Sequence, residues 1–493
     1  MSTLSLSRQN PWWLDPSSLN NDDNLLQYYS SKLKWDPRIV HTFDFETDAI
    51  YTLRGPRQVG KTTSLKLIIK DLIEKGVPPR NIFYWTCDLI DNPKTLVELV
   101  ESYIQNSSLT EGRLYIFLDE ISAVKDWQRG MKYLYDTGVL KNVSLLMTGS
   151  HSIDIKASAE RLPGRRGITG DVLDKIMLPM KFSEYVELRS PRLRTLIMSM
   201  KLYRGEQRRH ILHELAGGDI PTEVKELGMY FTQLDSLFRD YLITGGLISP
   251  INDYVKDGVI EEYQYMRYMN VTIGDIAQWK KRQSYLVALL SRIEDVLTSR
   301  ISWNSLKKGT DISHTNTVAD YVDILESSFI LTTLYGYDPN TKKPRYESEK
   351  KIYFRDPFIF HSLRAWVRQL PPFEASIRYT ESDNVPKLVE SVLADHLLRL
   401  SFNLNPSNLF EPSRNLLYWS TKKHEIDFVL HTPKYNVPIE LKYQNTINRS
   451  DYSPLFAFPE NGVASKGVLA TKEKLETHRG VVAIPVPILL TLI

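Results

Sequence analysis

Gly55-Pro56-Arg57-Gln58-Val59-Gly60-Lys61-Thr62-Thr63 is the stretch on which the fold turns. Gly55, Gly60, Lys61 and Thr62 stand at the spacing G-x-x-x-x-G-K-[ST]. The glycines let the backbone curl until successive N–H groups face one anion. Lys61 then supplies a compact positive charge for β- and γ-phosphates, and the Thr62 hydroxyl a ligand for Mg²⁺. All nine residues are therefore candidate ATP contacts. The flanks agree: Asp48–Arg54 reads as a strand, and Thr63–Lys75 as a helix stopped by Gly76. A strand entering the loop and a helix leaving it put the positive end of the helix dipole at the phosphates.

Working outward, Asn81–Asp88 reads as a second strand and Asn92–Gln105 as a helix. Arg113-Leu-Tyr-Ile-Phe-Leu-Asp119-Glu120 is an apolar strand ending in two acids. Downstream of a P-loop, Asp119 is expected to hold Mg²⁺ through its water shell and Glu120 to polarise the attacking water. Trp127–Thr137 reads as a helix, and Val143–Ser150 as a buried strand with a polar tip. Thr148 or Ser150 is expected to sense the γ-phosphate or the water; the plainer reading is that they cap the next turn.

With these residues in place the chain resembles the AAA+ ATPases. More narrowly, it is similar to archaeal and bacterial ATPases that join such a core to a C-terminal domain of uncharacterised function. The likeness continues through Leu162-Pro163-Gly164-Arg165, Leu178–Tyr185 and Tyr241–Gly246, and covers roughly residues 40–450. It implies that Arg165, with Arg166 beside it, reaches the γ-phosphate of a neighbouring subunit, and so a homo-oligomer. A guanidinium suits that task because its planar fork spreads charge over phosphoryl oxygens. The likeness also implies that Tyr241–Gly246 lies beside the nucleotide, under a helical lid.

Residues 190–250 show apolar spacings of three and four, as helices do. Tyr285–Leu297, Asn304–Lys307 and His314–Glu326 then read as three helices, followed by the strands Phe329–Tyr337 and Lys351–Phe354 around a basic turn. This is the plan of a winged helix. Its third helix would offer His314, Asn316 and Thr317 to a DNA groove. Its hairpin would offer Lys342, Lys343, Arg345, Lys350 and Lys351 to phosphates. Asp320, Asp323 and Glu326 on the same helix oppose that reading, since they repel a phosphate backbone.

Leu370-Pro-Pro372 reads as a linker. Beyond it come the helix Asp383–Leu400 and the strands Leu416–Ser420, Glu425–Leu430 and Tyr435–Gln444. Glu390 lies on the helix, Asp427 on one strand, and Glu440 and Lys442 on the next. This layout resembles the PD-(D/E)xK nuclease superfamily. Alternation along a strand turns Glu440 and Lys442 to one face, with Asp427 across the hairpin. Glu390, Asp427 and Glu440 are thus candidate ligands for Mg²⁺ or Mn²⁺. Lys442 would orient the attacking water, and Gln444 would touch a phosphate.

The expected architecture is α/β: a P-loop AAA+ parallel-sheet core, a helical lid, a winged helix and a restriction-endonuclease-like domain. The segments are 1–40 as an N-terminal extension, 41–187, 188–275, 276–365 and 377–493. The 493 residues exceed one ordinary core. Trp12-Trp13 is expected to pack on the core or on a neighbouring subunit. With 62 basic against 59 acidic residues, net charge +3, overall charge selects no partner. The single cysteine, Cys87, reads as a small core residue and suits a reducing, cytoplasmic setting. No secretory h-region follows Met1, and the apolar tract Gly480–Ile493 is too short to span a bilayer, reading instead as a buried terminal strand. The functional expectation is an Mg²⁺-ATPase coupled to a DNA-binding nuclease fold in repair or defence. The alternatives are a nucleotide switch with an inactive nuclease fold, and a chaperone-like ATPase that does not bind DNA.

Overall fold

The computed structural model describes residues 6–107, 111–149, 172–404, 411–459 and 465–493. They fall into two compact units, 1–178 and 179–493.

The first unit is built on five strands: β1 (Ile50–Arg54), β2 (Ile82–Thr86), β3 (Leu114–Asp119), β4 (Val143–Gly149) and β5 (Asp174–Ile176). Their order is β2-β3-β4-β1-β5 and every pairing is parallel. Parallel neighbours need crossover helices, and those helices cover both faces of the sheet. This is why β1 and β4 are buried at every residue and why they read as unbroken apolar runs. Phe83, Leu118, Leu145, Tyr103 and Trp127 form part of the core, and Cys87 is buried. Because β4 lies between β1 and β3, its Thr148 stands between the P-loop strand and the acidic strand.

The edge of β2 is not left open. Asn10 donates to the Tyr84 carbonyl at 3.0 Å and accepts from the Tyr84 amide at 2.7 Å. Gln9 accepts from the Thr86 amide at 2.9 Å. The indoles of Trp12 and Trp13 both donate to the Ile82 carbonyl, at 3.2 and 2.8 Å. Residues 82, 84 and 86 point their backbone groups outward together because a strand alternates. Side chains from residues 9–13 thus satisfy an edge that would otherwise invite another strand. The two tryptophans pack on the core, as the first of the two expectations had it.

The second unit is helical from Phe182 to Ser327. It then adds β6 (Leu331–Asp338), β7 (Lys343–Phe354), β8 (Leu416–Ser420), β9 (Glu425–His431), β10 (Asn436–Lys442), β11 (Val468–Thr471), β12 (Glu476–His478) and β13 (Val481–Pro485). The order is β12-β13-β11-β10-β9-β8-β6-β7. The hairpin β6–β7 joins the later strands through Gly336 and Tyr418. It therefore shares a sheet with residues the sequence assigned to another segment. The Leu370–Pro372 stretch, expected as a linker, turns directly between the helices Pro357–Arg368 and Pro372–Thr380. The C-terminal tract is strand only to Pro485; Val486–Leu492 is a helix. Proline is accommodated in a first helical turn, where its missing N–H is not needed. Among the described residues no helix is long and apolar enough to cross a membrane.

Tyr241–Gly246 belongs to this second unit. Tyr241 donates to the Met180 carbonyl at 2.8 Å, and the Gly246 amide to Asp356 at 2.7 Å. A Cβ on Gly246 would lie 2.1 Å from the Met180 carbonyl oxygen, so only glycine fits.

Candidate functional site

The loop after β1 has the shape its glycines foretell. Gly60 takes φ 103° and Gln58 φ 64°, both left-handed, and Gly60 caps the helix Lys61–Glu74. A Cβ on Gly55 would stand 2.0 Å from the Met177 carbonyl oxygen. Pro56 and Val59 are buried, while Arg57, Gln58, Thr62 and Thr63 are half-buried. The Lys61 side chain folds into the loop, donating to the carbonyls of Gly55 and Pro56 at 2.9 Å each.

The acids at the end of β3 lie beside this loop. Asp119 is buried and accepts from three hydroxyls: Thr62 at 2.7 Å, Tyr84 at 3.0 Å, and Thr148. Among the described residues no ion pair reaches Asp119. Burial, and next the Asp119 charge, push the Tyr84 phenol far above its usual range, so it remains a donor. Thr148 is fully buried, and its hydroxyl also accepts from the Glu120 amide at 3.1 Å. It thereby bridges Asp119 and the backbone of Glu120. Glu120 sits in left-handed backbone at φ 51°, an uncommon state for a side chain with a Cβ and one that gathers at functional turns. Arg165, Arg166 and Ser150 lie outside the described residues.

These residues fit Mg²⁺-ATP. A left-handed loop and a helix N-terminus would wrap the phosphates, and Lys61 would offset their charge. Thr62 and Asp119 would hold the ion, because hydroxyl and carboxylate oxygens are the hard ligands that Mg²⁺ takes. Tyr84 escaped the sequence reading. Its signal was its place on β2 two residues before Thr86, which pairs with Asp119.

The second cluster lies on β9, β10 and the helix Val385–Leu404. Glu390, Asp427, Glu440 and Lys442 do come together, by the alternation the sequence shows. Glu440 accepts from the Asp427 amide at 3.2 Å, Asp427 from the Leu441 amide at 3.0 Å, and Lys442 donates to Glu440. At the centre, however, is Lys351 of β7. Its ammonium is 2.8 Å from Asp427, 2.7 Å from Glu425 and 3.3 Å from Glu390. Tyr353 donates to Glu390 at 2.8 Å. Burial, and next the Asp427 charge, raise the carboxyls of Glu390 and Glu440. Burial opposes the Lys351 charge, but Asp427, Glu390 and Glu425 outweigh it and hold the ammonium protonated. Among the described residues no group of three or more acids, histidines or cysteines is disposed to hold a metal ion.

Two lysines expected on phosphates are thereby reassigned. Lys351 is 1% exposed and Lys350 6%. Lys350 donates to the Ser348 carbonyl at 2.8 Å and lies over the Trp303 ring. Lys342, Lys343 and Arg345 remain exposed at the hairpin tip, as do His314 and Asn316 at the start of the helix Thr315–Ser327; Thr317 is half-buried. Gln444 lies past the end of β10, so strand alternation no longer governs it. Its amide donates to Thr446 and Asp451 at 2.9 and 3.1 Å.

The parallel sheet, the loop and its paired acids define a P-loop ATPase domain of AAA type. Residues 47–186 match the family described as an AAA domain. Residues 235–388 and 387–489 match two families described as domains of unknown function. An uncharacterized protein of Methanocaldococcus jannaschii is 23% identical over 484 residues, 95% of this chain and 89% of that protein. One from Haemophilus influenzae is 21% identical over 315 residues, 59% of this chain and 64% of that one. The Walker-type ATPase PABY2304 of Pyrococcus abyssi covers 64% of this chain and 91% of its own, at 14% identity and TM-score 0.38. The Aeropyrum pernix ORC1 protein, solved in complex with DNA, covers 76% and 93%, at 11% identity and TM-score 0.29.

Proposed function

We propose that the chain is an Mg²⁺-ATP-dependent switch that engages DNA, and that its nuclease-like C-terminal part does not cut. The observation that supports the switch is the Asp119 site, where a buried carboxylate accepts from the Thr62 hydroxyl beside the loop into which the Lys61 ammonium folds. Lys61 would anchor the phosphates. Thr62 and Asp119 would hold the ion, and Glu120 would take the proton of the attacking water. Order gained with the γ-phosphate and lost on hydrolysis would be the signal. In this reading 188–275 serves as the lid and 276–365 as a winged helix. The helices Gln283–Asp295, Trp303–Lys307 and Thr315–Ser327, followed by the hairpin β6–β7, support that reading. The exposed Lys342 and Lys343 support a DNA backbone as partner.

Fluorescence anisotropy of a labelled duplex, titrated with the ATP-bound and ADP-bound protein over a salt series, tests it. Affinity should differ between the two nucleotides and fall with salt. Lys342→Ala/Lys343→Ala should lower the salt slope by about 2. An affinity identical in both nucleotides defeats the switch. No binding even at low salt leaves the chaperone-like ATPase in its place.

A further inference from the structure

We propose that the Lys351 ammonium is the resident cation of the Glu390–Asp427–Glu440 cluster, and that it stands where a nuclease-like layout calls for a divalent metal. The native chain then takes no Mg²⁺ or Mn²⁺ there. The inference holds whether or not the chain engages DNA.

Five of the six carboxylate oxygens of Glu390, Asp427 and Glu440 already accept hydrogen bonds. Asp427 Oδ1 receives Lys351, and Oδ2 receives the Leu441 amide. Glu440 Oε1 receives Lys442, and Oε2 the Asp427 amide. Glu390 Oε1 receives both Lys351 and Tyr353. A metal would have to take these oxygens from groups that already use them. Distance tells the same way. The ammonium lies 2.7 to 3.3 Å from three carboxylates, the range of a charge-assisted hydrogen bond. Mg²⁺ needs oxygens at about 2.0–2.1 Å and usually retains several waters. The Lys351 position is 1% exposed, which leaves no room for that water shell beside the ammonium.

The arrangement is also reciprocal. A buried ammonium without partners is costly, and so are buried carboxylates without a cation. Lys351 arrives from β7, Glu390 from the helix Val385–Leu404, and Glu425 and Asp427 from β9. One side chain therefore neutralises acids from two other elements and ties the hairpin to them.

The test is Mn²⁺ binding by the full chain without nucleotide, followed by titration calorimetry and by paramagnetic resonance. Native protein and Asp427→Asn should bind Mn²⁺ alike. Lys351→Met should gain on the order of one Mn²⁺ per chain, about tenfold tighter than any site in the native protein, with its melting temperature raised by the ion. Lys351→Met/Asp427→Asn should lose that gain. Loss of Mn²⁺ binding in Asp427→Asn alone overturns the proposal, even if Lys351→Met fails to fold. So does a folded Lys351→Met that binds no more Mn²⁺ than the native chain.

Discussion

One acidic cluster sits at the end of β3 and the other on β9, β10 and the helix Val385–Leu404, and the two are finished in opposite ways. Asp119 is surrounded by the hydroxyls of Thr62, Tyr84 and Thr148. Asp427 and its neighbours are surrounded by the ammoniums of Lys351 and Lys442. A hydroxyl orients a carboxylate without cancelling its charge, whereas an ammonium cancels it. The first cluster would thereby stay open to an ion that arrives with a ligand. The second has satisfied itself from within the chain. Counting acids in a sequence cannot separate the two cases, because what matters is the charge of the group that each acid meets.

The largest expected effect is at Glu120. Glu120→Gln should retain ATP while steady-state hydrolysis falls about 10²–10⁴-fold, the range for loss of a general base. Normal turnover in that variant would remove Glu120 from the mechanism. Next is Lys351→Met, which leaves Glu390 and Asp427 without their ammonium while Glu440 keeps Lys442 and Glu425 keeps Arg300. Without added metal, urea unfolding of the 179–493 unit should be easier by about 3–5 kcal/mol, with the 1–178 transition unmoved. A change below about 1 kcal/mol would mean that the buried lysine is dispensable.

A pH series sharpens the contrast with groups outside both clusters. His396 accepts from the Phe182 amide at 2.8 Å through Nε2, so Nδ1 carries the proton and donates to the Val392 carbonyl. His361 contacts the Leu242 carbonyl at 2.9 Å. Burial, with an adjacent arginine, lowers both to about 4. Between that value and the unfolded one the unfolded chain binds more protons. Stability is therefore complete above about pH 6.5 and is lost as pH falls toward 4, by roughly 2–3 kcal/mol for each imidazole. Melting curves of the native chain and of His361→Gln/His396→Gln should diverge in that window, the variant having the flatter profile. Parallel profiles would show that other groups set the acid limit.

The smallest effect is expected at Thr148. Thr148→Ala removes both hydrogen bonds of the bridge, to Asp119 and from the Glu120 amide, and should slow hydrolysis by about thirtyfold, in line with two lost hydrogen bonds of about 1 kcal/mol each. Thr148→Ser should restore most of the rate. Full activity in the alanine variant would leave the threonine with no part in placing the acids.

The first unit was legible because its rules are local. A fixed spacing of glycines, a lysine and a threonine makes the loop, and strands covered on both faces declare themselves as apolar runs. In the second unit the hairpin of Asp427 and Glu440 was equally open to reading, since period-two alternation suffices. The role of Lys351 was not. It depends on β6 and β7 pairing with strands more than sixty residues further on, and nothing near Lys351 announces that contact. A hint was present in Lys351-Ile-Tyr-Phe354, where a charge opens an otherwise apolar strand and shares a face with Tyr353. The helix Val486–Leu492 was missed because apolar content alone does not separate a buried strand from a buried helix.

The tryptophans and amides that close the flank of β2 carry a practical consequence. Any polypeptide seeking to extend this sheet past β2 must first peel away residues 9–13, so strand addition on that side is guarded by a removable latch. A version trimmed past Trp13 would bare that flank, and its shelf life in concentrated solution should shorten as molecules stack through it.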